Sequence, residues 1–491
     1  MNIAEAKDYI KDTVKLYLKK DEFGDYRIPV VRQRPIFLLG APGIGKTAVM
    51  SQIASELDIA LVSYSMTHHT RQSALGLPFI EKKDYDGKTY SVSEYTMSEI
   101  IASVYDTMEE SGVKEGILFL DEINCVSETL YPSMLQFLQY KVFGKHTVPE
   151  GWVIVTAGNP PEFNKAVREF DVVTLDRLKV IEVEADYPAW KKYAFDVGLH
   201  GSILNFLETN RDYFYGVETT AFGKNYVTAR GWEDLSDIIY LYEEDGKKVT
   251  ESLVGQYIKN DTVVKEYTAY YDLYNKYKKQ YDVEAVFEGR IDEKMAKSVK
   301  KAAVDERLAL TGLLSDIVKS EIKTIMSRAS ILKEVRPSIG RITDGSEADI
   351  KGYISTLVKA REKVIADKQR AGSLTSAEKR RGKKIIALYN DLKKNAENID
   401  SVKSFYNGEI SSLKEKVNEE QGRIDNLFKA MAEIFGEESN EMLVLVTELT
   451  LGNDTAEFFA SFKNDSYEKY NALLMVGDRK ESLRKEILNI L

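Results

Sequence analysis

Gly40-Ala41-Pro42-Gly43-Ile44-Gly45-Lys46-Thr47 has the residue types and spacing to hold a chain of phosphates. The pattern is G-x-x-x-x-G-K-[ST]. Its glycines let backbone N–H groups turn inward around phosphate oxygens, and the N-terminus of a following helix adds the positive end of its dipole. Lys46 then reaches the β- and γ-phosphates, and the Thr47 hydroxyl ligates Mg²⁺. The phosphate-binding set is read as Gly40, Ala41, Pro42, Gly43, Ile44, Gly45, Lys46, Thr47 and Ala48. Farther along, the apolar run Gly116-Ile117-Leu118-Phe119-Leu120 ends in Asp121-Glu122. Asp121 can hold Mg²⁺ through water, and Glu122 can orient and deprotonate an attacking water. A pair of acids capping the next helix is the competing reading. Asn159 follows the apolar run 152–157 and precedes Pro160. By local chemistry alone it is equally a γ-phosphate or water ligand and a turn residue.

These groups need strand ends and a helix start to position them. Ile36-Phe37-Leu38-Leu39 reads as a strand, 48–54 as a helix and 59–64 as a second strand, which begins a parallel α/β sheet. The run 116–120 is apolar throughout, as a strand buried on both faces is. Ligands of open α/β sheets bind at the carboxyl ends of strands, so Asp121 and Glu122 stand beside the phosphate loop if the two strands are neighbours. Asp86-Gly87, set among β-branched and aromatic residues over 78–95, predicts a hairpin. Helices are expected over 1–20, 97–108 and 130–140, a short hairpin around Gly144 and Pro149, and a last strand over 180–183.

A chain of 491 residues is too long for one core, and its length suggests about three compact units. Its net charge of −10 argues against a chain built mainly to coat nucleic acid, while leaving room for a local basic patch. Cys125 is the one cysteine and cannot form an intramolecular disulfide. The four histidines are scattered, and adjacent His68 and His69 do not share a helix face, so a structural zinc is not expected. The charged N-terminal stretch lacks an apolar signal core and no window reads as a membrane span, so a reducing cytoplasmic setting is expected.

Five features in this order resemble the AAA+ ATPases, specifically their MoxR-like and dynein-related branch. Residues 40–47 are similar to Walker A and 117–122 to Walker B. Asn159 looks like sensor 1, Arg177 in Leu175-Asp176-Arg177-Leu178 like an arginine finger, and Arg230 in Thr228-Ala229-Arg230-Gly231-Trp232 like sensor 2. The 78–95 hairpin is similar to the helix-2 insert of that branch, and the hairpin after Leu138 to its pre-sensor-1 hairpin. The resemblance covers 30–265. It implies an α/β P-loop NTPase core with a parallel sheet over 30–186, after an N-terminal helix and linker over 1–29. A helical lid over 187–265 and a long all-helical region over 266–491 follow. It also implies a Mg²⁺-dependent ATP hydrolase working as a ring, usually a hexamer. Arg177 enters the neighbouring subunit's site, with Arg168 a second candidate, and Arg230 contacts the γ-phosphate. The implied role is chaperone-like remodelling of a protein partner, often one with a von Willebrand factor A domain on a separate chain. A nucleic-acid motor and a nucleotide-switched scaffold are the alternatives, and the acidic balance weighs against nucleic acid as a partner.

Past Pro337 no proline interrupts a helix. Apolar residues keep helical spacing from Ile350 to Val417, with Thr375-x-x-Glu378 a capping box and Asn407-Gly408 a weak point. An antiparallel coiled-coil arm over about 343–436 and an ordinary helical bundle both fit that pattern. Lys379-Arg380-Arg381-Gly382-Lys383-Lys384 could touch phosphate, but among neighbouring acids it reads as a solvated face.

Overall fold

The computed structural model describes residues 1–68, 74, 76–164, 166–220, 223–280, 283–290, 293–302, 304–347 and 349–473. The strands are β1 (Ile36–Gly40), β2 (Ala60–Ser65), β3 (Pro78–Tyr85), β4 (Lys88–Tyr95), β5 (Gly116–Asp121), β6 (Val142–Phe143), β7 (His146–Thr147), β8 (Trp152–Gly158), β9 (Lys179–Val183), β10 (Gly216–Thr220) and β11 (Gly223–Val227). Compactness divides the chain into two units, where length suggested about three. One unit is Met1–Ala189 with Ser355–Tyr389, and the other is Trp190–Ile354 with Asn390–Leu491.

The first unit is an α/β layer built on a five-stranded sheet in the order β2-β5-β8-β1-β9, every pair parallel. β8 is buried along its whole length, and β5 everywhere but its last residue. That burial is why these two segments read as unbroken apolar runs. Side chains from Phe37, Val62, Leu118, Leu120 and Ile154 meet Ile101, Val104 and Phe137 from the covering helices in one core. β8 lies between β1 and β5, so the condition that these two strands be neighbours is not met. The β3–β4 hairpin turns on Asp86 at φ 48 and Gly87 at φ 77, left-handed at both central positions as a two-residue type I′ turn requires. Lys83 of β3 and Lys145 of the β6–β7 turn both pair with Glu94 of β4, joining the two small hairpins.

The edge strand β2 is covered by a segment from far along the chain. Helices Ile350–Arg370 and Ser376–Asn395 form an antiparallel hairpin in which Ile365 packs against Gly382. Its linker lies against β2. The Leu61 amide donates to the Ala371 carbonyl at 2.8 Å, and Ala371 is buried in the sheet's core. Gly372 has φ +67, and a Cβ there would stand 2.3 Å from the Leu61 carbonyl oxygen, so only glycine fits this approach. Lys368 bridges Asp58 at 3.1 Å and Glu378 at 2.9 Å. The expected capping box is present: the Thr375 amide donates to Glu378 Oε2 at 3.0 Å, and the Glu378 amide to Thr375 Oγ1 at 3.2 Å.

The second unit is mainly helical. The long helices Val304–Thr343 and Ile399–Phe435 pack with Asn440–Leu451 and Asn453–Ser461 around Val318, Ile322, Ile424, Leu427, Phe428, Leu445 and Phe458. Pro337 sits inside the first of these helices, and the second runs unbroken through Asn407-Gly408. The 187–265 stretch, expected to be a helical lid, carries the β10–β11 hairpin as well. Trp232 is fully buried and donates its indole N–H to the Phe214 carbonyl at 3.2 Å.

Candidate functional site

The phosphate loop leaves β1 at Gly40, where a Cβ would come within 2.5 Å of the Val183 carbonyl oxygen. Gly43 at φ 76 and Gly45 at φ 97 take left-handed conformations that a side chain would strain. The helix Lys46–Leu57 then starts with no side chain capping its first turn. An uncapped helix start with a glycine loop before it presents backbone N–H groups to an anion.

Lys46 is buried and donates to the Gly40 carbonyl at 2.7 Å, the Ala41 carbonyl at 2.8 Å and Asn159 Oδ1 at 2.9 Å. Asn159 thus lies at the loop, where local chemistry had left its role open. Thr47 Oγ donates to Asp121 Oδ2 at 2.9 Å. This contact forms although β8 separates β1 from β5, because Thr47 belongs to the helix beyond the loop and not to the strand before it. Among the described residues no three His, Cys, Asp or Glu side chains are arranged to hold a metal. Thr47 with Asp121 is the donor set that suits Mg²⁺, which keeps waters and takes substrate phosphate oxygens as its remaining ligands. The loop, the uncapped helix start and this oxygen pair fit a nucleoside triphosphate with its metal.

Glu122 stands at φ 56, a left-handed conformation for a residue that has a Cβ. Its Oε2 accepts from Ser65 Oγ and Thr67 Oγ, both at 3.1 Å. It does not cap the turn that follows through its side chain, and Asp121 instead accepts from the Glu122 amide at 2.9 Å through Oδ1. The capping reading therefore accounts for one oxygen of Asp121 and none of Glu122.

Sequence reasoning missed two groups here. Ser65 and Thr67 hold Glu122, and nothing local in the sequence marks that role. Asn124 is buried and donates its Nδ2 to the Asn159 carbonyl at 2.9 Å, while its own carbonyl accepts from the Arg168 amide at 2.9 Å. A Cβ on Gly158 would meet Asn124 Oδ1 at 2.5 Å, so that glycine is needed to admit the amide. Nothing in the sequence distinguishes Asn124 from a turn residue.

The two candidate fingers differ. Arg168 is half-buried and its guanidinium pairs with Glu128. Arg177 is exposed, its guanidinium donating to the Val173 carbonyl at 3.5 Å, beside Val172 and Val173, which are 81% and 59% exposed. Arg230 is exposed at the second position of the helix Ala229–Glu244, in the second unit, and is not among the residues the first unit brings together. Of the adjacent histidines, His69 and the side chain of His68 lie outside the described residues.

Residues 36–176 match the family model of the ATPase family associated with various cellular activities (AAA). No curated protein matches the chain. The matched span runs from β1 through the helix Val172–Leu175 and so contains Lys46, Thr47, Asp121, Glu122 and Asn159. The match supports an ATPase of the AAA+ class, with nucleotide binding and ATP hydrolysis as the activities that class implies.

Proposed function

We propose that the chain is a Mg²⁺-dependent ATPase in which Lys46 and the loop 40–48 bind the triphosphate and Glu122 activates the attacking water. One observation carries this reading: the ends of β5 and β8 and the phosphate loop converge, with Thr47 on Asp121 and Lys46 on Asn159 at 2.9 Å each. Mg²⁺ at Thr47 and Asp121 supplies charge neutralisation of the phosphate oxygens when bound. In the hydrolytic step the water oxygen bonds to the γ-phosphorus and the bond to the β–γ bridging oxygen breaks. The water's proton goes to the Glu122 carboxylate, and ADP leaves. To reach that water Glu122 turns away from Ser65 and Thr67. Asn159 orients the water or the γ-phosphate.

In this proposal the active assembly is a ring, a hexamer as in the MoxR-like branch, and Arg177 reaches the neighbouring subunit's γ-phosphate. The exposed guanidinium and the exposed valines beside it support Arg177 over Arg168, whose charge is engaged by Glu128. Arg230 acts as sensor 2. The ordered motifs support remodelling of a partner protein, of the von Willebrand factor A class, as the work the cycle drives.

Light scattering on a sizing column, with and without Mg-ATP, tests the ring on the Glu122→Gln protein, beside turnover assays of that variant and of Arg177→Ala. The expected result is ATP-driven assembly of Glu122→Gln, with hydrolysis nearly abolished. Arg177→Ala should bind ATP and hydrolyse it about 10³-fold or more slowly. Wild-type turnover by Glu122→Gln would remove the catalytic assignment, and a monomer with ATP bound at high concentration would remove the trans role of Arg177.

A further inference from the structure

The helical hairpin that seals β2 is also strongly basic. Residues 355–389 hold ten lysines and arginines against three acids, net +7 in a chain of net −10. Two of the acids are engaged within the first unit: Glu378 with Lys368 and the Thr375 amide, and Asp367 with Arg370. Lys359, Lys363, Lys379, Arg380, Lys383 and Lys384 are exposed and make no ion pair among the described residues. They recur four apart on both helices, 359 with 363, 379 with 383 and 380 with 384, so each pair sits on one helix face about 6 Å apart along the axis.

The composition of this face discriminates among polyanionic partners. Protein–protein interface cores are depleted in lysine and depend on buried aromatic or arginine anchors, whereas protein–DNA interfaces are polar and strongly positive. The face offers no aromatic anchor, and the exposed cations that recur along it are five lysines with one arginine, Arg380. Tyr389 is the only aromatic residue of 355–389 and it is buried, and Val364, at 46%, is its one large exposed apolar side chain. Single-stranded nucleic acid is held by bases stacking on aromatic rings, and none is presented here. Regular cations with no stacking platform match the phosphate backbone of a duplex, bound without reading its sequence.

We propose that the hairpin 355–389 is a docking surface for the phosphate backbone of double-stranded nucleic acid, with Lys379, Arg380, Lys383 and Lys384 as its principal contacts and Lys359 and Lys363 as flanking ones. The proposal does not depend on the ATPase reading, since binding is measured without nucleotide. Four phosphates neutralised by the principal set contribute about −3.6 to the slope of log affinity against log salt.

The test uses the full chain, a fluorescein-labelled 30-base-pair DNA duplex and anisotropy titrations over a range of salt. A variant carrying Lys379→Gln, Arg380→Gln, Lys383→Gln and Lys384→Gln should bind at least about tenfold more weakly at low salt, with a slope shallower by about 3–4. Its melting temperature and basal ATP turnover should be unchanged, because these side chains are exposed and remote in role from the phosphate loop. The independent pair Lys359→Gln and Lys363→Gln should make the slope shallower by about 2, which keeps the proposal testable if the first variant folds poorly. Equal binding by variants and wild type, or no wild-type binding at low salt, overturns the proposal. Tighter binding of a single strand of the same length overturns the duplex assignment. Displacement by poly-glutamate at matched charge transfers the face to an acidic protein, and loss of self-association in the variant without any DNA binding transfers it to a second copy of this chain.

Discussion

Two polar clusters, one in each unit, show when gathered polar groups make a candidate site and when they make a scaffold. In the first unit Lys46, Thr47, Asp121, Glu122 and Asn159 meet at strand ends beside an uncapped helix start. In the second, Asp316 is ringed by Asn205 at 3.3 Å, Tyr274 at 3.5 Å and Lys319 at 3.5 Å, with Lys319 also 2.7 Å from Glu448. His200 beside them pairs with Glu243 at 3.2 Å and Ser202 at 2.7 Å. Both clusters combine carboxylates with a lysine, Lys46 in the first and Lys319 in the second. The difference is the backbone around them. The helical cluster is enclosed by side chains on complete helices, and its groups satisfy one another. The strand-end cluster has loop and helix-start N–H groups facing outward, and those need an anion. Asp316 belongs to packing, whereas Asp121 is the residue to which the proposed mechanism gives a chemical role.

The contrast breaks most visibly at Lys46. Lys46→Ala should lower ATP turnover by about 10²-fold or more while changing the melting temperature little, read by a phosphate-release assay beside calorimetry. A large loss of stability with turnover retained would make the strand-end cluster a scaffold too. The helical cluster should behave in the opposite way. Burial pushes the Asp316 carboxyl up to about 6 from its usual 3.8, with Glu448 raising it further and Lys319 opposing. A folded value above the unfolded one means the native state holds the extra proton between pH 4 and 6, so stability falls as pH rises through that window. Denaturant titrations at pH 4 and pH 7 should show wild type losing about 2 kcal/mol relative to Asp316→Asn, with ATP turnover per folded molecule unaffected. Parallel pH profiles of the two proteins would remove Asp316 as the cause.

Lys141 sharpens the comparison inside the first unit, because it is a second buried lysine without a loop of oxygens around it. Its Nζ reaches only Gln33 Oε1, at 3.4 Å, and burial pulls its ammonium down to about 8 from 10.5. The native state is the poorer proton binder between pH 8 and 10.5, so wild-type stability rises with pH across that range. Lys141→Met should therefore stabilise the protein by about 1–2 kcal/mol at pH 7, and the gain should shrink towards pH 10 in thermal melts. A variant less stable at pH 7 would mean that the Gln33 contact outweighs desolvation. The smallest effect is expected at Glu122. Removing its two hydroxyl partners with Ser65→Ala and Thr67→Val should raise basal kcat by about two- to fivefold with KM unchanged, since water replaces most of what the hydroxyls give the carboxylate and a net of about 0.5–1 kcal/mol for the pair is lost when Glu122 turns to water. A fall in kcat would show that the hydroxyls position the glutamate for attack.

The phosphate loop, the acids after β5 and the Asp86-Gly87 hairpin were legible in the sequence because each is local. Left-handed glycines, an apolar run and a turn dipeptide set backbone geometry within a few residues. Thr375 with Glu378 was legible for the same reason, as a reciprocal cap three residues apart. The strand order was not. Apolar runs say which segments are buried but not which lie side by side, and β8 entered between β1 and β5 to bring Asn159 to Lys46. Asn124, Ser65 and Thr67 were silent because a hydroxyl or amide shows its role only when its partner arrives from another strand. The hairpin 355–389 carries the clearest division. Its helical spacing and positive charge are written in the chain, whereas its seat on β2 depends on Gly372 meeting the Leu61 carbonyl across more than three hundred residues. No periodicity records such a meeting, so only the tertiary structure places those cations on the first unit.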